Sequence, residues 1–179
     1  NQLLKLYADL LRPGSIGSMK GVWWHLRPGP GYGTLELRMC DGPATLQELG
    51  AIVGFVHVQG LMFQTEQDSF SGTSPKPPKR WIARENKWRA LRYGLNAQVI
   101  DHRTLEQRIL RADILDRLER MAPLFKAHGY DAQLACLRDI CAQGPSTVRQ
   151  RRVYEQRGSL EDVLAHNAKE CALQEPIWS

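Results

Sequence analysis

The feature that most constrains the fold of this chain is a pair of short segments at residues 22–27 and 34–40. A Pro- and Gly-rich stretch separates them, and this composition favours a turn over regular structure. Because side chains alternate along a strand, Glu36 and Arg38 share one face of the second segment. The opposite face is apolar and consists of Leu35, Leu37 and Met39. The pattern predicts a β-hairpin whose apolar face can seal against a core and whose other face is polar.

The polar face carries a carboxylate and a guanidinium roughly 7 Å apart, at about 3.3 Å per residue along the strand. If the two strands pair, His25 and Arg27 of the first strand can lie on the same face as Glu36 and Arg38. Such a face could form the floor of an active site. The spacing alone is equally consistent with an exposed ion pair that contributes little to stability.

Four blocks follow one another in order along the chain: Arg27-Pro28, YGTLELRMCDGP at 32–43, an apolar run at 46–63 and RENKWRALRYGL at 84–95. Together they resemble the carboxylate-amine ligases related to glutamate-cysteine ligase, the GCS2 group. The resemblance implies an α+β fold in which antiparallel strands are backed by helices. It implies the C-terminal half of a glutamine-synthetase-like catalytic domain, with a mostly helical C-terminal part.

Because members of the group are longer, the resemblance leaves their N-terminal half without a counterpart here. We expect residues 1–179 to form a single domain fragment, with a strand pair and a buried helix in 1–66 and a helical part in 81–179. Residues 67–80 contain Ser, Gly and Pro and are predicted to be a flexible loop. The basic end of this loop, which consists of Lys76, Lys79 and Arg80, is either solvent-exposed charge or a lid.

The reaction implied by the resemblance is amide formation that consumes ATP: a carboxylate is phosphorylated, and an amine attacks the acyl phosphate. This chemistry needs Mg²⁺ held by carboxylates and cationic groups around the transferring phosphoryl group. At the matching positions Glu36 is the expected metal ligand and Arg38 the expected catalytic residue. The expected ligands of the substrate or its phosphates are His25, Arg27, Arg84, Glu85, Arg89, Arg149 and Arg151.

Several of these residues also have a purely structural interpretation. Glu85 and Arg89 have the i, i+4 spacing of an ordinary helix ion pair, and residues 149–152 can form a solvated basic helix face. The group's other metal-binding carboxylates lie in the half that has no counterpart here. We therefore expect this segment alone to be inactive, and its site to be completed by an N-terminal half or by a second chain. The second chain can be another copy of this protein, so a homo-oligomer is one of the expected arrangements.

The chain has 24 Lys and Arg residues against 19 Asp and Glu residues, a net charge of +5 that suits a phosphate-bearing partner. One alternative function is therefore a basic helical module that binds nucleic acid through residues 81–92 and 149–152, although no helix-turn-helix, zinc or RNA-binding signature is present. A second alternative is a fragment that keeps the ligase fold without its activity.

The four cysteines show no CxxC spacing, and the sequence shows no signal peptide and no uninterrupted run of 18 apolar residues. This favours a cytoplasmic protein with no membrane partner.

Helices are predicted at 2–11, 81–95, 111–127, 131–143 and 146–156, and a last helix begins at Ser159 and continues to about residue 173. A short strand is predicted at 99–100. Thr45 and Glu48 form a capping box ahead of a further helix. That helix has one apolar set at positions 46, 49, 53, 56, 60 and 63 and a second at 51, 55, 58 and 62. We expect it to be buried on nearly all sides and to back the apolar hairpin face. His57 on this helix is predicted to be a core histidine whose hydrogen bonds are satisfied.

Overall fold

The computed structural model describes the backbone of residues 2–29, 31–69 and 78–178, and the side chains of these residues apart from 2–4, 19 and 65–69. The described chain is α+β and mostly helical, with two small antiparallel sheets. It divides into two compact units, residues 1–42 and residues 43–179.

The first unit contains helix α1 (Gln2–Leu11), a short 3₁₀ turn (Met19–Gly21) and a hairpin of strands β1 (Leu26–Gly29) and β2 (Thr34–Leu37). The two strands are antiparallel and place Arg27 directly opposite Glu36. Tyr7 of α1 is buried, and its ring stacks on that of Trp24 with the ring centroids 5.9 Å apart. The predicted hairpin is therefore present, and an aromatic contact joins the segment before β1 to α1.

The bounds and the packing of the hairpin differ from the prediction. Strand β1 begins at Leu26 and continues through Pro28 and Gly29, which the sequence pattern assigns to the turn. A two-stranded ribbon has only edge strands, and a proline is tolerated at an edge because no partner requires its N–H. On the apolar face, Leu35 and Met39 are 57% and 55% exposed. The expectation that this face seals against a core is therefore wrong for these two side chains.

The core of the second unit lies where helices α2 (Leu46–Ser69), α4 (Leu110–Ala127) and α5 (Asp131–Gln143) meet. Its buried members are Val58, Leu118, Met121, Phe125, Leu134 and Cys141. Gly54 allows α2 to approach α5 closely, because a Cβ at this position would lie only 3.2 Å from the Cβ of Gln133. The glycine therefore sets the separation of the two helices.

Helix α2 is buried on one side only, so the prediction that it is buried on nearly all sides is wrong. Ala51 and Val58 of the second apolar set are fully buried. The first set stays largely exposed, and its exposed members are Leu46, Leu49, Val53 and Phe63. By length and composition alone, residues Leu46–Gln64 could also cross a membrane. Since Val58 belongs to the helical core, α2 is a core helix of this unit with one open apolar side.

The remaining elements of this unit are α3 (Arg80–Tyr93), β3 (Gln98–Ile100), β4 (Gln107–Ile109), α6 (Ser146–Arg157) and α7 (Leu160–Leu173). The predicted helices and the strand at 99–100 are confirmed. Strand β4, which pairs with β3, is an element that the sequence pattern does not predict. Residues 67–69 of the predicted loop belong to α2 and Arg80 begins α3, while residues 70–77, including Lys76, lie outside the described residues.

The prediction for His57 is only partly right. His57 is exposed, and its Nδ1 lies 3.0 Å from the hydroxyl oxygen of Tyr130. Its hydrogen bond is satisfied, but the expectation of a core position is wrong. Cys136 and Cys141 are buried, and burial raises the pKa of both thiols, that of Cys136 to about 11. Both remain protonated near neutral pH and act as small core residues.

Candidate active site

The polar face of the hairpin carries a compact cluster of one carboxylate and two guanidiniums. Glu36 Oε2 accepts a hydrogen bond of 2.8 Å from Arg27 Nε and a second one from Arg27 Nη2. The other carboxylate oxygen, Oε1, lies 3.6 Å from Arg38 Nη1. All three side chains therefore share one face, as the alternation along β2 predicts, and the cluster has a net charge of +1.

Each arginine of this cluster has a further contact that fixes its guanidinium in place. Arg27 Nη1 donates a hydrogen bond of 2.9 Å to the backbone oxygen of Lys20. The guanidinium carbon of Arg38 lies 4.8 Å from the ring centroid of Trp23, which is a cation–π contact. Trp23 itself is 81% exposed. These contacts fix the direction of both guanidiniums while Glu36 keeps 46% of its side chain open to solvent.

His25 lies just before β1, opposite Arg38, and its backbone oxygen accepts a 2.8 Å hydrogen bond from the Arg38 N–H. This bond extends the hairpin ladder one pair beyond the ends of the strands, so the register assigns His25 to the polar face. Asp41 lies just after the hairpin, and its Oδ1 accepts a hydrogen bond from the N–H of Gly42. Asp41 thus supports its own turn.

The side chains of the cluster are better suited to bind an anion that carries one metal cation than to surround a metal ion by themselves. Among the described residues no three His, Cys, Asp or Glu side chains come together in a way that could hold a metal ion. Glu36 offers a single accessible carboxylate, which can provide one or two of the oxygen ligands that Mg²⁺ prefers. Arg27 and Arg38 beside it can bind the oxygens of a phosphate in a planar, two-pronged manner.

Helix α3 of the other unit carries the RENKWR block, and two of its residues connect the helix to β3. Asn86 pairs with both backbone groups of Ile100, donating to its oxygen and accepting from its N–H, each at 2.8 Å. Arg89 donates to Glu85 Oε1 at 2.8 Å and to the backbone oxygen of Gln98 at 2.9 Å. The predicted ligands Glu85 and Arg89 therefore form the i, i+4 ion pair of the structural interpretation, and Arg89 also supports the sheet.

The same ion pair borders two open cavities on α3. One, of about 440 Å³, is lined by Glu85, Arg89, Trp88 and Tyr93 together with polar side chains of the β3–β4 region. The other, of about 510 Å³, also contacts Trp81 and the exposed Arg84. Aromatic rings beside a mixed-charge pair can hold a planar or cationic group. A binding role for Arg84, Glu85 and Arg89 thus stays a prediction, and the two cavities beside them are suitable places for a ligand to bind.

Arg149 lies in the interior of the unit and is only 1% exposed. Its Nε donates to Glu170 Oε1 at 2.6 Å, and its Nη2 lies 3.0 Å from Glu48 Oε1. Glu48 also belongs to the predicted capping box, and its N–H donates to Thr45 Oγ1 at 3.1 Å. The Trp178 ring covers the guanidinium, with its centroid 4.8 Å from the carbon. The geometry gives Arg149 a structural role, and its contact with a phosphate stays a prediction.

The basic segment 149–152 does not form one charged surface. Arg151 is exposed and lines a separate groove of about 400 Å³ between α6 and α7, while Arg149 points into the interior. Arg152 is half-buried, and its Nη1 lies 3.4 Å from the backbone oxygen of Trp178. The nucleic-acid interface suggested by this segment therefore lacks the continuous basic face it would need.

Sequence reasoning missed three residues that shape these sites: Trp23, Asn86 and Glu170. The Trp23-Trp24 pair is a visible signal, because two adjacent tryptophans ahead of a strand place one ring on each side. Asn86 lies inside the RENKWR block and could have been flagged as a side chain that pairs with backbone. No sequence signal connects Glu170 with Arg149, since 21 residues separate them and neither belongs to a local motif.

The comparison with known proteins gives the same family as the resemblance of the four sequence blocks. The family model described as glutamate-cysteine ligase family 2 (GCS2) matches residues 2–166. The chain is 39% identical over 163 residues to a protein of Bdellovibrio bacteriovorus named "Putative glutamate--cysteine ligase 2", an alignment that covers 91% of this chain and 43% of that protein. It is 38% identical over 165 residues to a protein of the same name from Thermobifida fusca, with coverages of 92% and 41%.

A third relative of the same name, from Mycobacterium tuberculosis, is 38% identical over 157 residues, which are 87% of this chain and 41% of that protein. The chain thus spans about two fifths of the length of the curated relatives it matches. The match covers the hairpin cluster, the α3 block and Arg149. On this match, the chain belongs to the glutamate-cysteine ligase family 2.

Proposed function

We propose that this chain contributes the phosphate-binding face of an ATP-dependent carboxylate-amine ligase with the glutamine-synthetase-like fold of its group. The observation that carries the proposal is the Glu36 carboxylate held between Arg27 and Arg38 on the open face of the hairpin. Family membership supports the reaction class. A cytoplasmic location, ATP and Mg²⁺ are parts of the same proposal.

The chemistry of the cluster matches what phosphoryl transfer requires. Glu36 would provide one ligand to Mg²⁺, which in such reactions neutralises the charge that develops on the phosphates. Its accessible side chain has acceptor capacity left, because two carboxylate oxygens offer about four lone-pair positions and the arginines occupy part of them. Arg38 would stabilise the charge of the transferring phosphoryl group, and Arg27 would hold Glu36 and a neighbouring phosphate oxygen.

One carboxylate cannot complete such a site, since a phosphoryl-transfer centre needs further metal ligands. We propose that these come from a segment equivalent to the part of the relatives that has no counterpart in this chain, supplied in the same polypeptide or by another chain. The substrates named for the relatives are glutamate and cysteine. We propose an amide bond between a carboxylate and an amine of that general kind.

The test is a chimera in which this chain replaces the matching two fifths of the Bdellovibrio protein, with that protein itself as the positive control. Release of ADP is measured with Mg²⁺, ATP, glutamate and a panel of amines that includes cysteine. We expect amine-dependent ADP release. Glu36→Gln should abolish it, whereas Glu161→Gln, a matched change of an exposed glutamate on α7, should leave it unchanged.

Arg38→Lys should lower kcat by about tenfold or more and change the KM for ATP little, because lysine keeps the charge but loses the planar contact with two oxygens. Equal losses in kcat and in ATP affinity would make Arg38 a ground-state binding residue. An active chimera that keeps its turnover after Glu36→Gln would remove Glu36 from the metal site and overturn the proposal.

A further inference from the structure

A cavity of about 330 Å³ lies between helix α3, the β3–β4 hairpin and helix α4, and four arginines line it. They are Arg103, Arg108, Arg117 and Arg120. The acidic side chains at its wall are Asp101 and Asp113, so the guanidiniums outnumber the carboxylates by two. None of these residues belongs to the motifs on which the proposed ligase function rests.

The two carboxylates are already engaged. Asp101 Oδ1 accepts hydrogen bonds from the backbone N–H groups of Arg103 and Thr104 at 2.7 and 3.1 Å, and these bonds lower the pKa of Asp101. The carboxylate therefore stays ionised and shapes the turn between β3 and β4. Asp113 Oδ1 lies 3.4 Å from Arg108 Nη1. Arg108 also pairs with Asp116, and this hydrogen bond raises the pKa of Arg108.

Within the described residues, the other three arginines form no ion pair with a carboxylate. Arg117 donates from Nη1 to the neutral amide oxygen of Gln59 at 2.7 Å. Arg120 has a weak contact of 3.4 Å from Nε to the backbone oxygen of Asp116. Arg103 is exposed at the tip of the β3–β4 turn. Three guanidiniums around one small cavity repel one another, and a bound anion would relieve this repulsion.

The size and the donors of the cavity define the anion. A volume of about 330 Å³ is at the small end of ligand pockets, so the ligand is compact. Guanidiniums approach from the turn and from two successive turns of α4, and several forked donors match the oxygens of a phosphate better than a single carboxylate. We propose that this cavity is a binding site for a phosphate group, either inorganic phosphate or the phosphate of a small metabolite.

The test measures binding of inorganic phosphate to the whole chain by calorimetry, at constant ionic strength with chloride as the reference anion. We expect saturable binding with one site. Arg103→Gln and Arg120→Gln should each weaken it by about tenfold or more, the effect expected when one charge-assisted hydrogen bond is lost. Arg138→Gln on α5, which removes the same charge from an exposed pair with Glu119, is the matched control and should bind like the unmodified chain.

Two further arms locate the ligand and identify its source. Amide shifts in NMR spectra should change on phosphate addition at residues 101–104 and 117–120, where the donors lie. Glycerol 3-phosphate and AMP are titrated beside inorganic phosphate, and tighter binding of an ester would assign the site to a phosphorylated metabolite. Absence of saturable binding, equal weakening by Arg138→Gln, or amide shifts confined to other parts of the chain would each overturn the proposal.

Discussion

Arg149 is the residue through which several elements of the second unit are held together. Glu48 at the start of α2, Glu170 on α7 and the Trp178 ring all contact its guanidinium, and all four groups are shielded from water to a large extent. A buried charge is tolerated only when its partners are present, so each contact depends on the others. The sequence shows Arg149 as one member of a basic segment, and only the fold shows its partners.

Removing one partner of Arg149 should therefore destabilise the chain strongly. We expect Glu170→Ala to lower the free energy of unfolding by about 3 kcal/mol, because it leaves two donors that bond to Glu170, Arg149 Nε and the Ile177 N–H, without an acceptor in the interior. Glu119→Ala, which breaks the exposed pair with Arg138, should cost no more than about 0.5 kcal/mol. Urea denaturation of both variants measures the difference, and equal midpoints would show that the interior pair contributes no more than the surface pair.

The buried thiol of Cys136 makes a separate prediction about pH. Burial raises the pKa of this thiol to about 11, so the folded state holds the proton more tightly than the unfolded chain does. The resulting stabilisation is complete below the ordinary thiol pKa and is lost as the pH rises through about 11. Between pH 9.5 and 10.5 the unmodified chain should lose stability faster than Cys136→Ala, by up to about 1 kcal/mol per pH unit. Parallel pH profiles of the two proteins would contradict this.

Strand alternation was sufficient to predict that Glu36 and Arg38 share a face, because this depends only on two residues of one strand. It could not predict that Arg27 lies opposite Glu36. That pairing depends on the register, and the register depends on where the turn begins. The sequence pattern ended the first strand at Arg27, whereas pairing continues to Gly29, so the detailed geometry of the cluster followed only from the structure.

At the scale of elements, the β3–β4 hairpin illustrates why short strands escape sequence analysis. Each strand has three residues, too few for an alternation to stand out from chance. The hairpin is stabilised from outside: the Asn86 amide of α3 pairs with both backbone groups of Ile100, as a neighbouring strand would. This contact makes α3 part of the sheet's support.

Asn86→Ala should therefore loosen the hairpin more than it affects α3. The half-buried N–H and oxygen of Ile100 would lose their partner, at a cost of about 1–2 kcal/mol. Hydrogen exchange should show the amide of Ile100 exchanging at least tenfold faster while the α3 amides change little. Arg92→Ala, an exposed change on the same helix, is the control and should leave the exchange of Ile100 unchanged. Unaltered protection of Ile100 in Asn86→Ala would show that the hairpin does not depend on α3.

Helix α2 shows a different limit of sequence reasoning. Its two apolar sets were both recognised, because a helical period identifies the positions on each side. The pattern does not say which set will find a partner. In the structure the set at 51, 55, 58 and 62 faces the helical core, and the set at 46, 49, 53 and 63 stays open. An exposed apolar face and a buried one give the same sequence pattern, so the pattern alone does not distinguish them.

At the scale of the whole molecule, the chain combines a closed helical core with surfaces that a longer protein could use. The curated relatives have about three fifths of their length outside the matched region. The open side of α2 and the single carboxylate of the hairpin cluster are both features that additional chain could complete. We therefore expect the open side of α2 to behave as solvent-exposed apolar surface in this chain and as covered surface in the chimera with the Bdellovibrio protein.

A dye that fluoresces on apolar surfaces, such as ANS, separates these states, because exposed apolar patches bind it and covered ones do not. Val53→Asp places a charge in the middle of the open side and should reduce dye fluorescence of this chain by about half or more without changing its unfolding midpoint. Leu91→Asp, which places the same charge at a more exposed apolar residue on α3 (78% exposed against 59% for Val53), is the control. The chimera should bind little dye with or without Val53→Asp. If the chimera binds as much dye as this chain does, and Val53→Asp lowers both signals equally, the open side of α2 remains exposed in the longer protein. Its apolar residues would then need an explanation other than contact with the unmatched part of the relative.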